Sequence, residues 1–307
     1  MPVSGGTRSS LATRSGYSLA AAAGAIWERV ASSIQAIQFA VGVFVLDQLA
    51  AFGLGDILLL RWPELLERAW PLAVAGELVQ ESCLILVIGM CVAAMPALLD
   101  TRALRLAARE PRAWTAIVKA ALQAEAGVLA FVVVAWLILQ ILQVDVGQIG
   151  NAVFPRTGDW HPGVLEALLL SAVLPGIVEE LVFRGIILRT MLGPVPVPLA
   201  VLVSSALFGL GHLGSDMTAE NAWFVFLYTF VGGSMYALAY IRTGSLYAAI
   251  LAHIIANTAA SLSPAVSDEA MSWVDLVLVE LCCLGCLPLL FAASRRIRLA
   301  LIARSTP

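Results

Sequence analysis

Long apolar runs separated by short polar segments are the feature that most constrains the fold of this chain. An apolar run of about 20 residues is long enough to cross a bilayer as a helix, and hydropathy indicates eight such runs. Only 13% of the residues are charged, against about 25% in soluble domains, and the mean hydropathy is +0.91. The sequence therefore predicts an all-α polytopic membrane protein with about eight transmembrane helices. The predicted spans lie near residues 34–60, 72–98, 120–143, 164–191, 198–213, 222–241, 244–262 and 273–293.

The chain is predicted to contain one membrane domain between two shorter terminal parts. Residues 1–33 begin with a Ser-, Thr-, Gly- and Arg-rich stretch, typical of a disordered tail, and continue into an Ala-rich patch, typical of an interfacial helix. Residues 34–293 are interpreted as a single transmembrane domain. Residues 294–307 are interpreted as a basic cytoplasmic tail.

The basic residues indicate how the helices are oriented. With an inner N-terminus, 14 of the 18 Lys and Arg residues fall in inner segments and three in outer loops. Because cytoplasmic loops are enriched in basic residues, we expect both termini to be cytoplasmic. Lys119 is the only lysine, and such an Ala- and Arg-rich composition is typical of a GC-rich bacterium, so a bacterial inner membrane is expected. No basic tract with interleaved aromatic residues suggests a nucleic acid partner.

Two adjacent acids and an arginine interrupt one of the apolar runs, at Glu179, Glu180 and Arg184. Charged groups at membrane depth are costly, rare and usually functional. In a helix, Glu180 and Arg184 share a face, and the acid stands on the N-terminal side, which is the better orientation for an ion pair. Glu179 is turned about 140° away from Arg184, so the arginine leaves it unneutralised. Pro175 precedes Glu179 by one turn and predicts a kink there.

Two of the three histidines, His212 and His253, also lie in apolar runs. Phe208 stands one turn before His212 and Asn257 one turn after His253, so each pair shares a helix face. An imidazole beside an amide can donate two hydrogen bonds to one oxygen, which is what a developing oxyanion needs. The same pair could instead join two membrane helices. Counted along the predicted spans, both histidines, Asn257 and Glu179 lie between the midplane and the outer leaflet, where they can line one cavity.

Three short motifs therefore occur in order on three separate apolar helices. They are Glu179-Glu180-x-x-x-Arg184, Phe208-x-x-x-His212 and His253-x-x-x-Asn257. Together they resemble the motifs of the CPBP family (CAAX protease and bacteriocin-processing, also called Abi), the intramembrane proteases that include the CAAX endopeptidase Rce1. The resemblance covers about residues 164–262, which would form the catalytic core.

The resemblance implies a bundle of eight helices around an intramembrane catalytic cavity, and hydrolysis of a peptide bond. Glu179 and His212 would activate the attacking water, while His253 and Asn257 would hold the oxyanion. In the same interpretation, three further residues orient the site: Glu180, Arg184 and Phe208. The expected partners are a membrane-associated peptide or protein substrate and the lipid bilayer.

The metal requirement and the function leave alternatives open. The family was long regarded as zinc-dependent, and Glu and His side chains can bind zinc. However, the sequence has no HExxH spacing, and Glu180 is expected to be taken up by Arg184. We therefore expect a glutamic endopeptidase without a cofactor, with a zinc protease as the alternative. Acids in the other apolar runs would also suit a proton-coupled transporter, and the same fold could serve a non-catalytic bacteriocin-immunity protein.

Overall fold

The computed structural model describes residues 10–49, 61, 82, 85–86, 88–89, 111–143, 167–214 and 217–262. Within these ranges the chain is helical almost throughout and forms no β-strand, so the all-α prediction is confirmed for them. The predicted span at 273–293, the tail at 294–307 and His161 lie outside the described residues. In chain order the helices are α1 (Ser10–Gln48), α2 (Pro111–Ile141), α3 (167–191), α4 (Val197–Gly211), α5 (Ala219–Thr243) and α6 (Leu246–Leu262).

Helix α1 is longer than the sequence predicts. Residues 1–33 were expected to combine a disordered tail with an interfacial helix, and the first span was expected to begin at residue 34, but one helix runs unbroken from Ser10 to Gln48. The physical reason is that the Ala-rich stretch has high helix propensity and that no proline interrupts the chain from Ser10 to Gln48. The boundary predicted at residue 33 therefore does not coincide with a helix end.

Three helices in the described part of the chain are long and apolar enough to cross a membrane. They include the stretches Gly24–Gln48 in α1, Trp114–Ile141 in α2 and Ala222–Thr243 in α5. These helices support a membrane protein. The total of about eight spans and the orientation of the helices stay predictions.

Helices α4 and α6 are apolar but, over the residues that the structure describes, shorter than a full span. The 15 residues of α4 rise about 22 Å and the 17 residues of α6 about 26 Å, against a hydrocarbon core of about 30 Å. Pro196 directly precedes α4, and His212 occupies the C-cap position with φ −93° and ψ 1°. The first of the two motif histidines therefore stands where a short helix ends.

Helix α3 changes its winding along its length. It consists of π-helical Ala167–Val173, α-helical Leu174–Glu180, π-helical Leu181–Leu188 and α-helical Arg189–Met191. At Pro175, where the sequence predicts a kink, the winding changes from π to α, and the proline lies in the first turn of the α-helical stretch. Because Val173 before this stretch is itself helical, the helix continues through Pro175, and the proline removes one backbone hydrogen bond to the preceding turn. Stretches of π-helix are rare and occur frequently at functional sites.

Helix α3 is the centre of the described bundle, since α1, α4, α5 and α6 all pack against it. Its closest neighbour is α6, and Gly176 makes this approach possible. A Cβ atom at Gly176 would lie 2.7 Å from Cγ1 and 3.2 Å from the backbone nitrogen of Ile254. The absence of a side chain at Gly176 thus lets α3 approach the α6 backbone beside His253.

Candidate active site

The ion pair expected from the sequence is present inside α3. Nη1 of Arg184 donates to Oε1 of Glu180 at 2.8 Å, and both side chains are fully buried. Nη2 of Arg184 donates to the carbonyl oxygen of Gly233 on α5 at 2.7 Å. The guanidinium therefore satisfies one acid of its own helix and also ties α3 to α5.

Aromatic rings enclose the same guanidinium. Its Cζ atom lies 4.5 Å from the ring centroid of Phe208, 5.5 Å from that of Tyr236 and 5.9 Å from that of Phe183. The face of an aromatic ring attracts a cation, so these contacts offset part of the cost of burying Arg184 without water. Phe208, which the resemblance places among the orienting residues, makes the shortest of the three contacts.

His253 contacts both acids of the first motif. Its Nδ1 lies 3.0 Å from Oε1 of Glu180, the oxygen that also accepts from Arg184. A carboxylate paired with an arginine accepts hydrogen bonds, so Nδ1–H is the donor, and Nε2 points towards Oε2 of Glu179 at 4.0 Å. Tyr236 stacks on the imidazole, with the ring centroids 5.1 Å apart and the planes 20° from parallel. The ring orientation of His253 is therefore fixed by Glu180 and Tyr236.

His212 approaches Glu179 from the C-terminal end of α4. Its Nδ1 lies 2.8 Å from the carbonyl oxygen of Phe208, one turn earlier in α4. A carbonyl oxygen only accepts, so Nδ1–H donates and Nε2 is directed towards Oε2 of Glu179 at 3.7 Å. The side chain of His212 is 32% exposed, that of Glu179 12% and that of His253 4%. The site is therefore open on the His212 side and closed on the His253 side.

Glu179 lies between the two imidazoles. Its Oε2 atom makes no hydrogen bond within the described ranges, and its distances of 3.7 and 4.0 Å to the two Nε2 atoms are too long for direct hydrogen bonds. A separation of this size between polar atoms suits a bridging water. Successive positions of α3 thus direct Glu180 towards Arg184 and Glu179 towards the histidines, as the sequence indicates.

Asn257 is the motif residue with the least defined contacts. It lies one turn beyond His253 on α6 and is half-buried. Its side chain makes no hydrogen bond to another described residue, whereas the other six motif residues contact at least one partner within the set. Because residues four apart share a helix face, Asn257 lies on the same side of α6 as His253.

Comparison with known protein families found a match over the segment that carries the site. Residues 161–259 match the family model described as type II CAAX prenyl endopeptidase Rce1-like. This segment is therefore similar to the Rce1-like family, and we call it the Rce1-like segment. The match confirms the resemblance derived from the three motifs, and it includes all of their residues. It also supports a peptidase, because the family is one of CAAX proteases. No curated protein and no solved structure matches the chain.

The donor atoms of the Rce1-like segment can be compared with a zinc site. Two imidazole nitrogens and a carboxylate oxygen are a common catalytic zinc set. In this site, however, Oε2 of Glu179 is 3.7 and 4.0 Å from the two Nε2 atoms, while tetrahedral bonds of about 2.1 Å place ligand atoms about 3.4 Å apart. Among the described residues, no group of three or more His, Cys, Asp or Glu is placed to hold a metal ion.

Three contacts in the Rce1-like segment were not predicted from the sequence. They are made by Phe183, Gly233 and Tyr236. Phe183 directly precedes Arg184 in α3 and lies within the first motif. Nothing in the spacing of Gly233 and Tyr236 links them to a motif, because they meet Arg184 and His253 only through the packing of α5. The adjacent pair Gly232-Gly233 was the one available signal, since small residues in membrane helices mark close approaches.

Replacing Gly233 by Ala is expected to destabilise the protein by about 1–3 kcal/mol, the usual cost of overpacking. The added Cβ would lie 3.0 Å from Cδ1 of Phe208 and 3.1 Å from Nη2 of Arg184. Gly232→Ala is the matched control, because the nearest atom to its Cβ is Oη of Tyr236 at 3.6 Å, an ordinary contact. The measurement is the thermal unfolding midpoint of both variants in detergent. Equal midpoints for the two variants would contradict the tight packing around Gly233.

Proposed function

We propose that this chain is an intramembrane glutamic endopeptidase that hydrolyses a peptide bond of a membrane-associated peptide or protein. The observation that carries the proposal is the approach of two imidazole nitrogens to one carboxylate oxygen, Oε2 of Glu179. The match to a family of CAAX proteases supports the peptidase chemistry.

Water activation is assigned to Glu179 and His212. A water between Oε2 of Glu179 and Nε2 of His212 would donate one hydrogen bond to each atom, since His212 already uses its Nδ1–H on a carbonyl. The oxygen lone pair of this water would then attack the peptide carbonyl carbon while Glu179 takes up the proton. When the C–N bond breaks, Glu179 would return the proton to the leaving amine nitrogen.

Oxyanion stabilisation is assigned to His253 and Asn257. Because the Nδ1–H of His253 is used on Glu180, His253 can donate from Nε2 only when both ring nitrogens carry a proton. The carboxylate of Glu180 would offset the charge of that imidazolium. The Asn257 amide, one turn along α6, would supply the second donor to the oxyanion. Glu180 would then act on the reaction through His253 as well as through Arg184.

A zinc-dependent mechanism is the second candidate. It is favoured by one observation, namely that both histidines direct their Nε2 atoms towards the same oxygen of Glu179. If a zinc ion were bound, these three side chains would have to move closer together to hold it, because their present separations of 3.7 and 4.0 Å exceed the spacing of zinc ligands. The ion would then supply Lewis acidity for the attacking water. Each histidine already has its other ring nitrogen oriented by an acceptor, as zinc-binding histidines usually do.

Cleavage in the presence of a chelator tests the function and separates the two mechanisms. The protein would be reconstituted in liposomes with a library of peptides that carry a single transmembrane anchor, and the products would be identified by mass spectrometry. We expect cleavage to continue after exhaustive treatment with 1,10-phenanthroline, with no zinc detected by elemental analysis. Loss of cleavage that zinc alone restores would replace the metal-free mechanism. Proton flux without any cleavage would favour a transporter, and neither activity would favour an immunity protein.

A further inference from the structure

The buried carboxylate of Asp47 is not used by the proposed mechanism. Asp47 lies at the C-terminal end of α1 and is 3% exposed. Its Oδ2 accepts a hydrogen bond from Nε2 of the neighbouring Gln48 at 3.1 Å, whereas Oδ1 has no hydrogen-bond partner among the residues that the structure describes. A buried acceptor without a partner is costly, so the position of this oxygen requires an explanation.

The end of α1 borders the proposed active site. Helix α1 packs against both α3 and α4. A Cβ atom at Gly211, next to His212, would lie 3.4 Å from Nε2 of Gln48 and 3.5 Å from Cε2 of Phe44. Helix α1 therefore brings the carboxylate of Asp47 to the border of the site beside His212, from a part of the chain outside the matched residues 161–259.

The chemistry around Asp47 limits what its free oxygen can bind. Asp47 is itself an acid, and the site that it borders holds a further acid, Glu179, so an anion would be repelled. A peptide that enters the membrane exposes N–H groups that lipid cannot satisfy. A carboxylate forms stronger hydrogen bonds to such donors than a neutral oxygen does. An N–H donor, neutral or cationic, is therefore the group that fits Oδ1.

We propose that Asp47 is a substrate-binding residue whose Oδ1 accepts a hydrogen bond from an N–H group of the peptide held at Glu179 and His212. This inference rests on the proposed endopeptidase function and extends it, because it assigns part of substrate selection to α1. The donor is either a backbone amide beside the scissile bond or a basic side chain. Both sources share the same chemistry, and the experiment separates them.

The test combines enzyme variants with modified peptides. A cleaved peptide would be N-methylated at one backbone nitrogen at a time, and its Lys and Arg residues would be replaced by norleucine. In the wild type, we expect one of these changes to lower kcat/KM by about 10- to 100-fold, mainly through KM. In Asp47→Leu, which lacks the acceptor, the same change should have little further effect, since two changes that remove one contact are not additive.

Asp47→Asn keeps an uncharged acceptor, so the penalty at that position should be smaller than in the wild type. This variant also serves if Asp47→Leu does not fold. Ser33→Ala is the matched control on α1, because Ser33 hydrogen-bonds to the carbonyl oxygen of Pro194 and so affects the docking of α1 away from the site. It should leave the pattern of penalties unchanged.

The outcomes are distinguishable. A penalty that follows one backbone position identifies an amide donor, and a penalty that follows norleucine identifies a basic side chain. Equal penalties in the wild type, Asp47→Leu and Asp47→Asn would overturn the role of Asp47 while leaving the endopeptidase intact. If the wild type cleaves no peptide of the library, the proposed function fails, and the substrate role of Asp47 fails with it.

Discussion

Glu179→Gln is expected to lower the rate of peptide cleavage by about 10²- to 10⁴-fold, the range that general bases contribute. Glutamine has the shape of glutamate but cannot take up the proton of the attacking water. Because Oε2 of Glu179 makes no hydrogen bond within the described part of the chain, the substitution should leave the fold intact. The measurement is kcat in proteoliposomes, together with the thermal unfolding midpoint of the purified variant.

Two further variants complete this experiment. Glu28→Gln neutralises an exposed acid of α1 and should retain wild-type cleavage. His212→Gln should lower kcat in the same direction as Glu179→Gln, since both side chains are proposed to hold the same water. Cleavage at an undiminished rate by a folded Glu179→Gln variant would remove Glu179 from the role of base.

Removing one partner of the buried ion pair should have the largest effect on stability. We expect Arg184→Ala to destabilise the protein by about 3–5 kcal/mol, because Glu180 then remains as a buried charge without its cation. Glu180→Ala should be similarly costly, since it leaves Arg184 in its aromatic surroundings without an acid. Both side chains are fully buried, and the atoms that join them are 2.8 Å apart.

The double variant is the decisive measurement for this pair. Glu180→Ala combined with Arg184→Ala should cost clearly less free energy of unfolding than the sum of the two single changes. Unfolding in detergent would be followed for all four proteins of the cycle. Simple additivity would show that the two side chains do not stabilise each other directly.

The parts of the site that could be predicted from the sequence are those set by local helix geometry. The pairing of Glu180 with Arg184 follows from a spacing of four residues, and the opposite direction of Glu179 follows from its adjacent position in α3. The neighbouring positions of Phe208 and His212 follow in the same way, and the structure shows them in contact.

The contacts between helices could not be predicted in this way. Oε1 of Glu180 accepts hydrogen bonds from both Arg184 and His253. His253 lies 73 residues after Glu180 in the chain, and no local sequence pattern predicts a contact across that separation. Tyr236 and Gly233 are unremarkable residues of an apolar helix until α5 packs beside α3. The continuous α1 was missed for a different reason, since hydropathy marks where a helix enters lipid and not where the helix begins.

The shortness of α4 has a consequence for how a hydrolase can work inside lipid. Its last turn ends beside His212, and the described residues that follow, 213–214 and 217–218, are not helical. Where such residues lie at the depth of the lipid, hydrocarbon cannot satisfy their backbone groups. They must meet either other protein groups or solvent. Solvent that reaches His212 would also supply the water that hydrolysis consumes. The early end of α4 would then exclude lipid and give water access to the site at the same place.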